Sequence, residues 1–281
     1  MRAERITDVV THHGEGAGWH PDEGVVMVVD MLAGDLVTLD GEGAVRRRHV
    51  GDVAAAWRPR EGGGTVVATR RGFTAYAADG GTDWHVEAFT GDTDRMNEGT
   101  CDPHGRFWCG SMAFGGTAGA GVMWRLDRDR TVHRVETGLS VPNGMVFAPD
   151  GASAFHVDTP SGGVDTVTVD PATGALTDRR RVVEVTGGGP DGMTVDADGG
   201  LWVALWGGGA VHRLEPTGEL TDVVEVDAVQ VTSCAFTGPD LDTLVITTSR
   251  QDLGPDEDRW AGAVFAAQVG RRGVAPLRYG G

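Results

Sequence analysis

Three residues of this chain carry the oxygens that a hard divalent cation prefers: Glu15, Asn143 and Asp191. Two carboxylates and an amide, with water completing the shell, suit one Ca2+, Mg2+ or Mn2+; Zn2+ also fits such a set, although it favours His and Cys donors. Arg95 and Asn97 stand two residues apart, so on a strand they face the same side. An inward guanidinium needs a polar ligand, an anion or a salt bridge to one of the chain's many acids to offset its desolvation. Each of Glu15, Asn143 and Asp191 precedes a glycine, so each could instead cap a local turn. Their common register argues for a shared site.

That register comes from a repeated phrase: GWHPDEG at 18–24, AWRPREG at 56–62, CDPHG at 101–105, VFAPDG at 146–151, TVDADG at 194–199 and AFTGPD at 235–240. Anchored on Pro21, Pro59, Pro103, Pro149, Ala197 and Gly238, the copies recur every 38 to 48 residues. Each is a short strand running into a Pro/Asp/Gly turn. A period of about 40–50 residues with that content marks a β-propeller with about four strands per blade. Six residues before the anchors stand Glu15, Val53, Asn97, Asn143, Asp191 and Thr232. Equivalent positions of radial repeats lie at similar heights around one axis. Glu15, Asn97, Asn143 and Asp191 therefore aim oxygens at a common centre.

The elements that must hold them read as strands. Apolar, β-branched runs recur at Val25–Val29, Leu36–Leu39, Thr65–Thr69, Val122–Leu126, Ala154–Val157, Val164–Val169, Leu201–Ala204, Ala210–Leu214, Leu244–Thr248 and Ala263–Ala267. No helical period appears, beyond room for short helical turns in the longer connections. Residues 1–281 are expected to form one all-β domain, a six-bladed propeller whose ring is closed by N- and C-terminal strands in one blade. The closing strand is placed near Ile6–Thr11, beside Ala263–Val269. Asp252–Trp260 reads as a loop over one face.

Hydrophobic residues make up 40 %, enough for a packed core, and the 45 glycines fall at turns rather than in a collagen-like period. A net charge of −17 argues against nucleic-acid binding and is compatible with a cation site. The chain has no lysine, which removes Schiff-base chemistry and a P-loop lysine. No apolar run is long enough to span a membrane, and the start of the chain lacks the apolar stretch of a secretory leader. Cys101, Cys109 and Cys234 are an odd set without metal-site spacing, expected as reduced, buried thiols of a cytoplasmic protein.

Other motifs are weak. GEGAG at 14–18 lacks the strand–helix setting of a phosphate loop, and no Gly-x-Ser-x-Gly elbow occurs. His12-His13 reads as a solvated turn that could line the mouth. Trp19, Trp57, Trp108, Trp202 and Trp206 read as blade-packing residues, with Trp206, at the head of a glycine run, also able to face a ligand.

The chain resembles the SMP-30/gluconolactonase/luciferin-regenerating family, which includes the regucalcins. The matching stretches, in order, are GEGAGW at 14–19, RMNEG at 95–99 with DPHGRFW at 102–108, PNGM at 142–145, PDGM at 190–193, LWVALWGGG at 201–209, VTSCAF at 231–236 and GVAPLRY at 273–279. The resemblance implies a six-bladed propeller with one divalent cation in its channel, Ca2+ foremost, held by Glu15, Asn143 and Asp191. It implies substrate contacts from Arg95 and Asn97, and from Glu98 where the family usually has Asp. Regucalcin-like members also carry a substrate-contacting Glu shortly after the methionine matching Met112, where this chain reads Ala113-Phe114-Gly115. The implied reaction is hydrolysis of a small-molecule sugar lactone to its aldonic acid, with the carbonyl polarised by the metal and Asp191 as general base as well as ligand. Another ester or phosphotriester hydrolysis on the same metal, or a non-catalytic calcium-binding role, stays open. A monomer or weak homo-oligomer is expected.

Overall fold

The computed structural model describes residues 1–41, 43–254 and 256–281. Among them six four-stranded antiparallel sheets form the blades of a β-propeller. The first strand of each repeat is an edge strand of its sheet, and these six inner strands touch in ring order. They are Gly14–His20 (blade 1), Ala54–Pro59 (blade 2), Asp94–Cys101 (blade 3), Pro142–Phe147 (blade 4), Gly189–Val195 (blade 5) and Val231–Thr237 (blade 6). Nine of the ten apolar runs read from the sequence fall within strands, and the tenth, Ala263–Ala267, enters its strand only at Phe265. The only described helical turns are Met31–Ala33 and Thr159–Ser161, and neither is long and apolar enough to cross a membrane.

Blade 6 takes three strands from the end of the chain and its outermost from the beginning. That strand is Glu4–Arg5, paired with Phe265–Gln268, and so lies just ahead of the expected Ile6–Thr11. Residues 6–11 instead run beside it with scattered main-chain bonds, Ile6 N to Val264 O and both Val10 N and Thr11 N to Gly262 O. The described part of Asp252–Trp260 consists of turns and irregular backbone; Pro255 lies outside the described residues.

The repeated phrase has a physical basis, clearest in blades 3 and 5. Oδ1 of Asp102 accepts the turn N–H groups of His104 and Arg106, while Oδ2 accepts Trp108 Nε1 at 2.9 Å. Asp196 repeats this with Asp198 N, Gly200 N and Trp202 Nε1, and adds Arg213 Nε at 2.6 Å. One carboxylate thus closes the turn and pins the indole of the next strand into the layer between blades. Trp57, Trp108 and Trp202 are fully buried there.

The tail crosses the face at the far end of the inner strands. Arg272 O accepts Ala197 N of blade 5, and Gly273 N bonds Leu241 O of blade 6. Tyr279 then pairs with Pro59 and Glu61 of blade 2, and Gly280 N bonds Gly105 O of blade 3. Val274–Leu277 cover an axial cavity of about 130 Å3 that Arg58 and Glu98 also line.

Candidate metal and substrate site

All six inner strands carry one extra residue against their neighbour. Register slips between Glu15 and Gly18, Ala54 and Ala56, Met96 and Gly99, Pro142 and Met145, Pro190 and Met193, and Val231 and Ser233. A bulge bends a strand and re-aims the side chain at the slip. Here it sets the residues expected at the axis at or beside the bulge in five blades, Val53 of blade 2 lying one residue before its strand. The glycines that follow two of them are needed for close approach rather than for turns. A Cβ on Gly144 would stand 2.6 Å from Met193 N, and one on Gly192 2.7 Å from Ser233 Cβ.

The bulges bring Glu15, Glu98 and Asp191 together, with one oxygen from each lying within 4.8 Å of the others. Glu15 and Asp191 are each only 4 % exposed. Glu15 Oε2, Glu98 Oε2 and Asp191 Oδ1 are buried without a hydrogen-bond partner. Burial pushes the Glu15 carboxyl well above the usual range, and the nearby Asp191 and Glu98 add to it. Burial, then Glu98, does the same to Asp191. Glu98 is pushed by burial up to about 7, against the pull of Arg58. Three carboxyls this close cannot all ionise without a compensating positive charge. Orphaned hard oxygens around one point fit a divalent cation.

A chain of side-chain hydrogen bonds runs round the cluster. Arg95 Nη1 donates to Asn97 Oδ1 at 2.7 Å, Asn97 Nδ2 to Asn143 Oδ1 at 2.9 Å, and Asn143 Nδ2 to Thr159 Oγ1 at 2.7 Å. Thr159 Oγ1 passes its own proton to Pro190 O, the residue before Asp191. Arg95 has no ion pair among the described residues; its further contacts are Met96 O and Met31 Sδ. Burial lowers its pKa to about 10, a shift that Glu15 and Asp191 oppose. Phe114 is 48 % exposed, with the Arg70 and Arg95 guanidiniums 5.4 and 5.9 Å from its ring centre.

Two inner positions aim elsewhere. Val53 is buried and apolar, and Thr232 Oγ1 bonds Gly14 O at 2.6 Å, tying blade 6 to blade 1. His13 differs from the solvated turn expected of it. It is 5 % exposed, because Asp30 Oδ1 takes its N–H and Met31 N bonds its carbonyl, drawing the loop into the ring. Its ring stacks edge-on to Trp206, 6.2 Å between centres. Thr159, Ser249 and the nearness of Glu98 to Glu15 and Asp191 were also missed. Glu98 follows Asn97 directly, and strict alternation would turn it to the other face; only a bulge places both near the axis.

A family model described as the SMP-30/Gluconolactonase/LRE-like region matches residues 13–250. A pentonolactonase of Haloferax volcanii is 38 % identical over 99 % of this chain and 98 % of its own. A 6-deoxy-6-sulfogluconolactonase of Pseudomonas putida is 34 % identical over 95 % of each. Among solved structures, a calcium-binding protein, regucalcin, from Agrobacterium tumefaciens superposes with a TM-score of 0.91 at 28 % identity, covering 99 % of this chain and 97 % of that one. With six blades, a family match over most of its length and relatives aligned nearly end to end, the chain belongs to the SMP-30/gluconolactonase/LRE-like family.

Proposed function

We propose that this protein hydrolyses a sugar lactone to its aldonic acid at one divalent cation, Ca2+ foremost, held by Glu15, Asn143 and Asp191. The observation that carries the reading is the cluster of Glu15, Glu98 and Asp191, one oxygen of each within 4.8 Å of the others, in which every carboxylate also has a buried oxygen without a hydrogen-bond partner. Relatives named as lactonases support the reaction class. A bound ion supplies Lewis-acid polarisation of the lactone carbonyl.

The chain's own residues do the rest. Arg95, steadied by Asn97, orients a substrate oxygen or stabilises the charge that develops on it. Asp191, beside the ion and the lactone carbonyl, takes a proton from the attacking water. Water oxygen bonds the carbonyl carbon, the ring C–O bond breaks, and the proton returns to the departing ring oxygen. Glu98 stands on the other side of the cluster, facing the axial cavity.

The test is turnover of glucono-, galactono-, xylono- and arabinonolactone with Ca2+ and after chelation. Activity lost on chelation and restored by the ion is expected. Ca2+ binding without turnover of any lactone would overturn the reading and favour a calcium-binding role.

A further inference from the structure

We infer that His13 is a substrate-contacting hydrogen-bond donor of this site, its imidazole held by Ser249 with the hydrogen on Nε2. The inference rests on the lactonase reading above for the identity of the substrate, a sugar oxygen being the acceptor. The ring geometry stands independently of it.

His13 Nδ1 lies 2.7 Å from Ser249 Oγ. That hydroxyl already accepts the Gln251 N–H at 2.9 Å. Among the described residues Ser249 Oγ has no other acceptor for its proton, so the proton is satisfied within the protein when it is donated to an unprotonated Nδ1. The remaining hydrogen sits on Nε2. This nitrogen has no hydrogen-bond partner among the described residues; Glu15 Oε1, 3.9 Å away, is too far. The imidazole is thus held by one nitrogen, and the other is left open to a substrate oxygen beside a candidate metal ligand.

The surroundings fix where the donor points. Asp30 holds the His13 main chain and is itself paired with Arg47 at 2.6 Å. The Trp206 ring walls one side of the imidazole. Glu15 stands on the other, and the charge of Arg95 reaches the ring. A lactone lying between Arg95 and the carboxylates therefore meets an N–H donor from blade 1 as well as the guanidinium from blade 3.

Asn and Gln variants separate this role from a structural one, because an Asn amide replaces Nδ1 and a Gln amide replaces Nε2. His13→Asn should lose about tenfold or more in kcat/KM, mainly through KM, while His13→Gln stays within about threefold of the parent, since a site built to donate discriminates against its loss. Ca2+ affinity by calorimetry should change by less than about threefold in both, as neither removes a ligand oxygen. In the parent protein, 15N spectra of the imidazole should show the Nε2–H tautomer, and Ser249→Ala should mix the two tautomers. Equal losses in the Asn and Gln variants, or an Nδ1–H tautomer in the parent, would overturn the inference. Failure of the parent to turn over any lactone would instead sink the proposed reaction, and the nitrogen spectra would still decide the state of His13.

Discussion

The side-chain nitrogen of Asn97 donates to the side-chain oxygen of Asn143 at 2.9 Å, tying blade 3 to blade 4 beside the carboxylate cluster. Asn97 also receives Arg95 Nη1, so one amide sets the orientation of a candidate ligand and of a candidate substrate contact. Asn97→Ala should therefore weaken Ca2+ binding by about 10–100-fold, the usual effect of removing the group that orients a ligand. Calorimetry on the variant is the check, and unchanged affinity would show that Asn143 is held by Thr159 alone.

Asp191→Ala should abolish turnover at saturating metal, since it removes ligand and base together. Arg95→Ala should mainly raise KM. Steady-state kinetics of both variants on one lactone decide the matter. Near-parental kcat in Asp191→Ala would disprove its role as base.

The cluster also makes stability depend on pH in a definite sense. The carboxyl pKa values of Glu15, Glu98 and Asp191 are raised in the metal-free fold, Glu98 to about 7. Between the ordinary carboxyl range and the raised values, the folded state holds protons that the unfolded chain has released. Stability from this site is therefore present at low pH and falls as pH rises through that window. A bound cation reverses the trend, since it needs the ionised forms. The rise in Tm on adding Ca2+ should be larger at about pH 8 than at about pH 5, read by thermal melts at matched ionic strength.

Gly144→Ala and Gly192→Ala probe the closeness of the inner strands. A Cβ on Gly144 meets Met193 N at 2.6 Å, and one on Gly192 meets Ser233 Cβ at 2.7 Å. Each substitution should cost about 1–3 kcal/mol by overpacking, and each should move the preceding ligand enough to lower metal affinity. Denaturant melts and calorimetry report the two effects separately.

Specificity should be broad. Gly115 stands in open space, and the chain lacks the carboxylate that regucalcin-like members carry nearby. Five- and six-carbon aldonolactones should fall within about tenfold in kcat/KM, a span of roughly 1.4 kcal/mol. Phe114, half-exposed between Arg70 and Arg95, is the residue that could narrow this toward smaller rings. A preference for one lactone of more than about a hundredfold would show that other loops supply the missing contact.

The propeller was legible because its signal is periodic and local. An Asp that closes a turn and holds a Trp, as Asp102 and Asp196 do, leaves the same phrase in each copy that uses it. The axis-facing positions were legible for the same reason, since a fixed offset from the turn survives folding. Glu98 was harder to place because the bulge between Met96 and Gly99 breaks the two-residue alternation on which face assignments rest. His13 was misread because its burial depends on Asp30 and Ser249, which lie on other strands and loops and leave no mark beside it in the sequence. The closing strand was displaced because two residues of pairing, Glu4–Arg5, are too few to show a pattern.

The C-terminal tail ties the ring along a chord. Blade 6 is closed by a seam of only two paired residues at its outer rim, where fraying would begin in an open-ended array. Tyr279, buried beside Arg60 and bonded through its hydroxyl to Asp127 O at 2.8 Å, is anchored on the opposite side from that seam. Peeling one terminal blade therefore cannot proceed alone; the far side must release as well. Such a closure forms only once Tyr279 and Gly280 have joined blades 2 and 3, contacts of long sequence separation, so it contributes little to the early stages of folding and much to the barrier against coming apart. The molecule should accordingly persist through slow unfolding, with the final turn of chain acting as its latch.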